Sequence, residues 1–214
     1  MAGLCKPYAA ELLVKALRQE TDLPIHFHTH DSAGVQAAAI LKATEAGLDI
    51  ADAASGPLSG MTSQPTLDGV VEALRFTKRD TGLDGEALQQ IAEYWEAARD
   101  FYQPFEAGMR AASADVYRHE MPGGQTTNLR QQAASLGLAS RWHEICRAYE
   151  DANRLLGDVI KVTPSSKAIG DLALYLVTNN LSADAILTSE RDLAFPDSVV
   201  ELVSGGLGQP HGGF

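Results

Sequence analysis

No stretch of the 214-residue chain approaches the ~18 uninterrupted apolar residues that a membrane-spanning helix needs, so the sequence predicts a soluble protein with no membrane partner. Basic residues are outnumbered. Seventeen Lys and Arg stand against 28 Asp and Glu, a formal net charge of −11, and a surface of that sign repels phosphate and predicts no nucleic-acid partner. Cysteine is almost absent: Cys5 and Cys146 lie far apart and outside any Cys-x-x-Cys or Cys/His zinc spacing, which argues against a disulfide scaffold and for a reducing, cytoplasmic setting. The N-terminal residues have neither the basic-then-apolar order of a secretion signal nor the Arg-rich character of a transit peptide.

What is present is a change of rhythm along the chain. The first third alternates short apolar runs with helical periods, as in β/α units on a parallel sheet. Pro7 suits a first helical position, and Ala9, Leu12, Leu13, Ala16 and Leu17 follow at helical spacing, predicting one buried face on a helix from Tyr8 to about Arg18. Leu23 to His28 reads as a strand. Asp31 or Ser32 can cap a second helix that runs through Ile40 and Leu41 and stops at Gly47. Leu48 to Ala53 reads as the next strand, Ser55 to Gln64 as a Gly/Ser/Pro-rich loop, and Leu67, Val70, Val71 and Leu74 as another helix face. From Asp84 onwards strand-like runs disappear. Helices are predicted through Leu88 to Tyr102, Gln125 to Leu136, Ser140 to Leu156, Ser166 to Val177 and briefly after Ser182. Trp95, Tyr94, Phe101 and Tyr102 read as helix packing. The last ten residues, from Gly205 to Phe214, are loop-like and read as cut. The fold class is therefore α/β, with β/α units over residues 1–80 and an all-helical region over 81–214.

Two segments carry the chemistry. His26, His28 and His30 alternate, and side chains two apart on a strand share a face, so the three imidazoles project together. His28 and His30, at the C-terminal end of that strand, stand where β/α folds carry their active sites and can share a divalent ion, with Asp31 as a carboxylate that orients a ligand. Hydrogen-bonded core histidines are the competing reading, and a catalytic ion needs about three protein ligands, so at least one more must come from elsewhere. The second segment is Lys161-Val162-Thr163-Pro164-Ser165-Ser166-Lys167, which leads into an apolar helix with Thr163 at the N-cap and Pro164 at the first helical position. The free N–H groups of Ser165 and Ser166 with the Lys167 ammonium make a cradle for an anion or a polarised carbonyl, while a well-capped helix start is the plainer account. Tyr117, His119, Glu120 and the Pro122-Gly123-Gly124-Gln125 turn form a weaker candidate of exposed loop chemistry.

Six motifs in order resemble the carboxyltransferase domain of the pyruvate carboxylase family: Met1 to Leu4 with Lys6 to Ala10, His26-Phe27-His28-Thr29-His30-Asp31, Ser59 to Pro65, His119 to Gln125, Val162 to Lys167, and Phe195 to Glu201. Similar barrels in oxaloacetate decarboxylase and transcarboxylase subunits share several of these but usually differ where Asp31 stands. The resemblance implies the C-terminal portion of a (β/α)8 TIM barrel followed by a helical region that closes over the active site. By resemblance His28 and His30 bind the divalent metal, commonly Zn or Mn, Thr163 relays a proton between pyruvate and biotin, and Ser166 and Lys167 lie in the biotin pocket. The implied reaction is transfer of a carboxyl group from carboxybiotin to pyruvate, giving oxaloacetate. Biotin would arrive on a biotin carboxyl carrier domain, ATP would act only at a separate domain, and the full-length enzyme would be a homo-oligomer, a tetramer. In the family Met-Ala-Gly-Leu follows a Lys-Asp whose carbamylated lysine is a further metal ligand, and this chain opens just after that point. His211 stands where the family usually has proline. The isolated chain is therefore expected to be inactive. The alternatives are a decarboxylase or transcarboxylase subunit, an aldolase-type metal lyase, which would not predict the Thr-Pro-Ser-Ser-Lys turn, and a non-catalytic helical interaction module.

Overall fold

The structure, a computed structural model, describes residues 3–190 and 192–209. The expectations placed on Met1 and Ala2, and on the segment from Pro210 to Phe214 with His211, lie outside the described residues. Chain contacts divide the molecule into two compact units, Met1–Tyr117 and Arg118–Phe214.

The first unit opens with α1 (Pro7–Glu20), begun by Pro7, whose missing N–H is one that no helix would have used. Strand β1 (His26–Phe27) follows, then α2 (Gln36–Glu45) and strand β2 (Ile50–Ala51). The strands pair in parallel, His26 beside Ile50 and Phe27 beside Ala51, with an α-helical crossover between them. Asp31 accepts a hydrogen bond from the amide of Gln36, the first residue of α2, at 2.9 Å. Gly47, at φ +106°, turns the chain out of that helix in a conformation that suits glycine. A 3-10 turn at Gly56–Leu58, α3 (Leu67–Leu74) and α4 (Gly85–Tyr102) complete the unit, and Asp84 caps α4 by accepting from the Glu86 and Ala87 amides.

The strands are shorter than the sequence predicts, because only residues 26–27 and 50–51 make ladder pairs; His28 and His30 continue beyond the pairing. The predicted buried face of α1 is also corrected. Ala10 and Val14 are the buried residues, whereas Leu12, Leu13 and Leu17 are exposed. The small side chains Ala10, Ala39 and Ala43 share one core cluster with Val14, Cys5 and Leu48, so α1 meets α2 along its alanine row, and Leu12, Leu13 and Leu17 lie outside that cluster. On α4 the periodicity is helical as predicted, yet Tyr94, Phe101 and Tyr102 are exposed and no residue of that helix is buried.

The one-turn helix α5 (Val116–His119) spans the point where one unit passes to the next. The second unit then contains α6 (Gly123–Ser135), α7 (Trp142–Leu155), α8 (Ser165–Asn179), α9 (Ala183–Thr188) and α10 (Asp197–Val203). On α7 the buried residues Ile145, Ala148, Tyr149 and Ala152 recur every three or four positions, one stripe facing the core. Helix α8 is buried almost all round, with Ala168, Ile169, Leu172, Ala173, Leu176 and Val177 in the same cluster as the α7 stripe and Leu129, Val199 and Leu202. Gly170 lets α6 approach α8, since a Cβ there would stand 2.4 Å from Gln125 Nε2 and 3.3 Å from Leu129 Cδ1. Asn180, at φ 51°, closes α8 in the left-handed conformation asparagine tolerates.

Candidate functional site

In the first unit the parallel register carries a carboxylate to the histidines. Ile50 lies beside His26 and Ala51 beside Phe27, so the next residue, Asp52, comes level with His28, and its amide donates to Phe27 O at 3.1 Å. One Asp52 oxygen lies 2.7 Å from His26 Nε2 and the other 2.7 Å from His28 Nδ1. His28 Nε2 lies 3.2 Å from His30 Nε2. The three imidazoles therefore do gather. Hydrogen bonds from His26 and His28 hold the Asp52 carboxyl below the ordinary carboxylate range. Burial, with the neighbouring His28 charge adding to it, holds His30 below the ordinary imidazole value, which favours the neutral ring that a metal ion requires.

Two nitrogens bound at 2.0–2.1 Å to one tetrahedral ion stand about 3.3 Å apart. The His28 and His30 Nε2 atoms are within a tenth or so of that distance, at 3.2 Å, and fit as two ligands of one ion. Among the described residues no group of three or more His, Cys, Asp or Glu side chains could hold a metal, so an ion at this pair would need further ligands from elsewhere. Asp31, which the sequence offers either as helix cap or as the carboxylate behind a ligand, is neither: the N-cap of α2 is Val35, and Asp31 accepts from the amide of Gln36, the first residue of that helix. The carboxylate behind His28 is Asp52, which sequence reading missed; its signal was the in-register pairing of two predicted strands.

The second segment folds differently from its expected capping. Pro164, not Thr163, stands at the N-cap of α8, the helix starts at Ser165, and no side chain caps it. The turn is closed instead by Ser165, whose hydroxyl donates to the carbonyls of Ile160 and Val162 and accepts from the Val162 amide at 3.2 Å. The Ser166 N–H is directed at Val162 O, 3.4 Å away, so the N–H cradle is partly used within the turn. Thr163 is exposed and its hydroxyl is left out of the helix start. Ser166 is buried, and Lys167 is exposed and ion-paired with Asp171 one turn along. Thr163 and Lys167 line one cleft of ≈ 660 Å³ together with Gln125, Asn128 and Asp171 of α6 and α8. The weaker candidate is structural: Glu120 binds Lys161 at 2.8 Å, and His119 Nδ1 accepts the Met121 amide at 3.0 Å.

The family profile described as a conserved carboxylase domain matches residues 116–214. Pyruvate carboxylase 1 of Caenorhabditis elegans is 51% identical over 217 residues, covering 100% of this chain and 18% of that protein. Pyruvate carboxylase of Bacillus subtilis is 47% identical over 214 residues, 100% of this chain and 19% of the relative. The chain thus spans about a fifth of the length of the curated relatives it matches. Among solved structures, the carboxyl transferase domain of Rhizobium etli pyruvate carboxylase with pyruvate and biocytin superposes with a TM-score of 0.97 at 54% identity, covering 100% of this chain and 36% of that domain. A likeness that close fixes the fold class as part of the barrel followed by the helical region. With a sequence match and a superposition that each cover the whole chain, the chain belongs to the pyruvate carboxylase family, as part of its carboxyltransferase domain.

Proposed function

We propose that the chain supplies part of a site that transfers a carboxyl group from carboxybiotin to pyruvate, giving oxaloacetate. The observation that carries the reading is the exposed hydroxyl of Thr163, which shares a cleft with Lys167 and takes no part in starting α8. A hydroxyl released from capping would take a proton from the pyruvate methyl as it gives its own to the biotin left by loss of CO2, and the pyruvate enolate so formed would take up that CO2, so the hydroxyl is never ionised. Lys167 lines the same cleft and binds the ureido end of biotin, its ammonium donating a hydrogen bond to the carbonyl, while Ser166, buried behind it, shapes the turn. In the first unit His28 and His30 hold a divalent ion, Zn or Mn, through their paired Nε2 atoms. An ion held there would supply Lewis-acid chemistry for a carbonyl oxygen, and biotin, on its carrier domain, would bring the carboxyl group. Support for pyruvate as the acceptor comes from the R. etli domain, solved with pyruvate and with biocytin, and from curated relatives named pyruvate carboxylase rather than decarboxylase or transcarboxylase. ATP belongs to a separate domain in this reading, the whole enzyme is a homo-oligomer, and the setting is the cytoplasm. No described helix is long and apolar enough to cross a membrane.

The test is a chimaera in which these 214 residues replace the matching stretch of the R. etli domain, assayed for biotin- and pyruvate-dependent carboxyl transfer. Thr163→Ala should lower transfer by about 10²–10⁴-fold, the usual contribution of a positioned proton carrier. Undiminished transfer in a folded Thr163→Ala chimaera rejects the proton role.

A further inference from the structure

The strongest unassigned arrangement is the carboxylate of Asp52 between two imidazoles. Both of its oxygens are engaged, one at 2.7 Å from His26 Nε2 and one at 2.7 Å from His28 Nδ1, so the group cannot turn without losing a partner. Its backbone is held as well, through its amide on Phe27 O. An ionised carboxylate only accepts hydrogen bonds, which requires the His28 proton to sit on Nδ1 and leaves the Nε2 lone pair of the neutral ring pointing at His30. His30 has no equivalent support: its Nδ1 is buried without a hydrogen-bond partner among the described residues. Of the two rings, then, only His28 has its orientation fixed by a side chain from a distant segment, the residue that follows β2.

We propose that Asp52, braced from its far side by His26, is the positioning residue of this site, fixing His28 in the Nδ1–H form so that its Nε2 faces a bound ion. The inference rests on the reading that His28 and His30 are metal ligands, and it adds two residues to that reading. Asp52 touches no ion itself; it acts through His28, as the outer carboxylates of histidine metal sites do, where their loss weakens metal binding by about 10–100-fold. The brace explains the third histidine of the alternating run. His26 stands two residues before His28, on the same side of the strand, and reaches the oxygen that His28 leaves free.

The experiment uses the chimaera described above, with ¹⁵N-labelled histidines, at about pH 8 where free imidazoles are neutral. Long-range ¹H–¹⁵N correlation identifies the protonated nitrogen of each ring, and zinc ion alone is then titrated into the same sample. In the unsubstituted chimaera His28 should be the Nδ1–H form, and zinc should move the Nε2 signals of His28 and His30. Asp52→Asn, whose amide can donate to Nδ1, should shift His28 towards the Nε2–H form and weaken zinc binding about 10–100-fold. His26→Ala should weaken zinc binding in the same direction but less, and His26→Gln, which keeps a donor to Asp52, should restore it. If Asp52→Asn leaves the His28 form and the zinc affinity unchanged, the inference is overturned while the metal reading stands. If zinc moves neither histidine in the unsubstituted chimaera, where the rest of the barrel is present, the metal reading itself fails and takes the inference with it, whatever the His28 form. Should Asp52→Asn not fold, the contrast between His26→Ala and His26→Gln decides: equal zinc affinity in the two rejects the brace.

Discussion

Lys167 Nζ on α8 is bound to Asp171 Oδ2, and the same oxygen accepts from Ser198 Oγ of α10. Asp171 is mostly buried and Lys167 mostly exposed, so the carboxylate is the fixed partner and the ammonium the one it restrains. A side chain proposed to bind biotin is thereby held at the rim of the cleft, which lowers the ordering cost of using it.

Asp171→Asn should release Lys167 while leaving Ser198 an acceptor. An i,i+4 pair of this exposure contributes only about 0.3–0.5 kcal/mol, so urea unfolding should shift little. In the chimaera the apparent KM for the biotin substrate should rise more than kcat falls. A loss confined to kcat would show that Asp171 matters for something other than holding Lys167.

The start of α8 separates a structural hydroxyl from one that is spare. Thr163→Ala should change stability by no more than about 0.5 kcal/mol, as surface changes without a partner do. Ser165→Ala removes the bonds to Ile160, Val162 and the Val162 amide, and should cost about 1 kcal/mol. Chemical denaturation of the two variants side by side checks this, and a larger loss in Thr163→Ala would return that residue to the role of helix cap.

Tyr149 is fully buried on α7, its hydroxyl has no hydrogen-bond partner among the described residues, and burial pushes its ionisation well above the ordinary phenol value. Because the folded value is the raised one, the stability it contributes is complete below the ordinary value of 10.0 and is lost as pH climbs from there. Tyr149→Phe should therefore lessen the alkaline loss of stability. At neutral pH it should be neutral or slightly stabilising, since it removes an unsatisfied buried hydroxyl. Melting temperatures from neutral pH to beyond pH 10 measure both effects.

Asp158 works at the acid end. Hydrogen bonds from Asn153 Nδ2, at 2.6 Å, and from Lys161 Nζ, at 3.1 Å, hold its carboxyl below the ordinary value of 3.8. The lowered folded value means that its contribution is present above 3.8 and disappears as pH falls through the folded value. Asp158→Asn should flatten that part of the acid unfolding curve, and an unchanged curve would mean that other carboxylates govern it.

The two ends of the chain were legible to different depths. The face of α3 through Leu67, Val70, Val71 and Leu74 and the stop of α2 before Gly47 were readable because periodicity and a positive-φ glycine are local properties. The α1 face was misread for an equally physical reason. A row of leucines signals an apolar surface, yet which row is buried in this unit depends on a partner, and α2 presents alanines that pack against Ala10 and Val14.

The same division runs through the candidate site. Alternation along an extended chain was enough to place His26, His28 and His30 together, because side-chain direction in a strand repeats every two residues whatever surrounds it. That Asp52, 24 residues away, lies behind His28 was decided by the parallel register of two short strands, and that Thr163 is free of the helix was decided by where the Ser165 hydroxyl found its partners. The sequence by itself determined the order of elements and the residues able to do chemistry, since both follow from local backbone preference and side-chain type. Only the tertiary structure decided which carboxylate stands behind which histidine, because hydrogen bonds between distant residues exist only once the chain has brought them within about 3 Å.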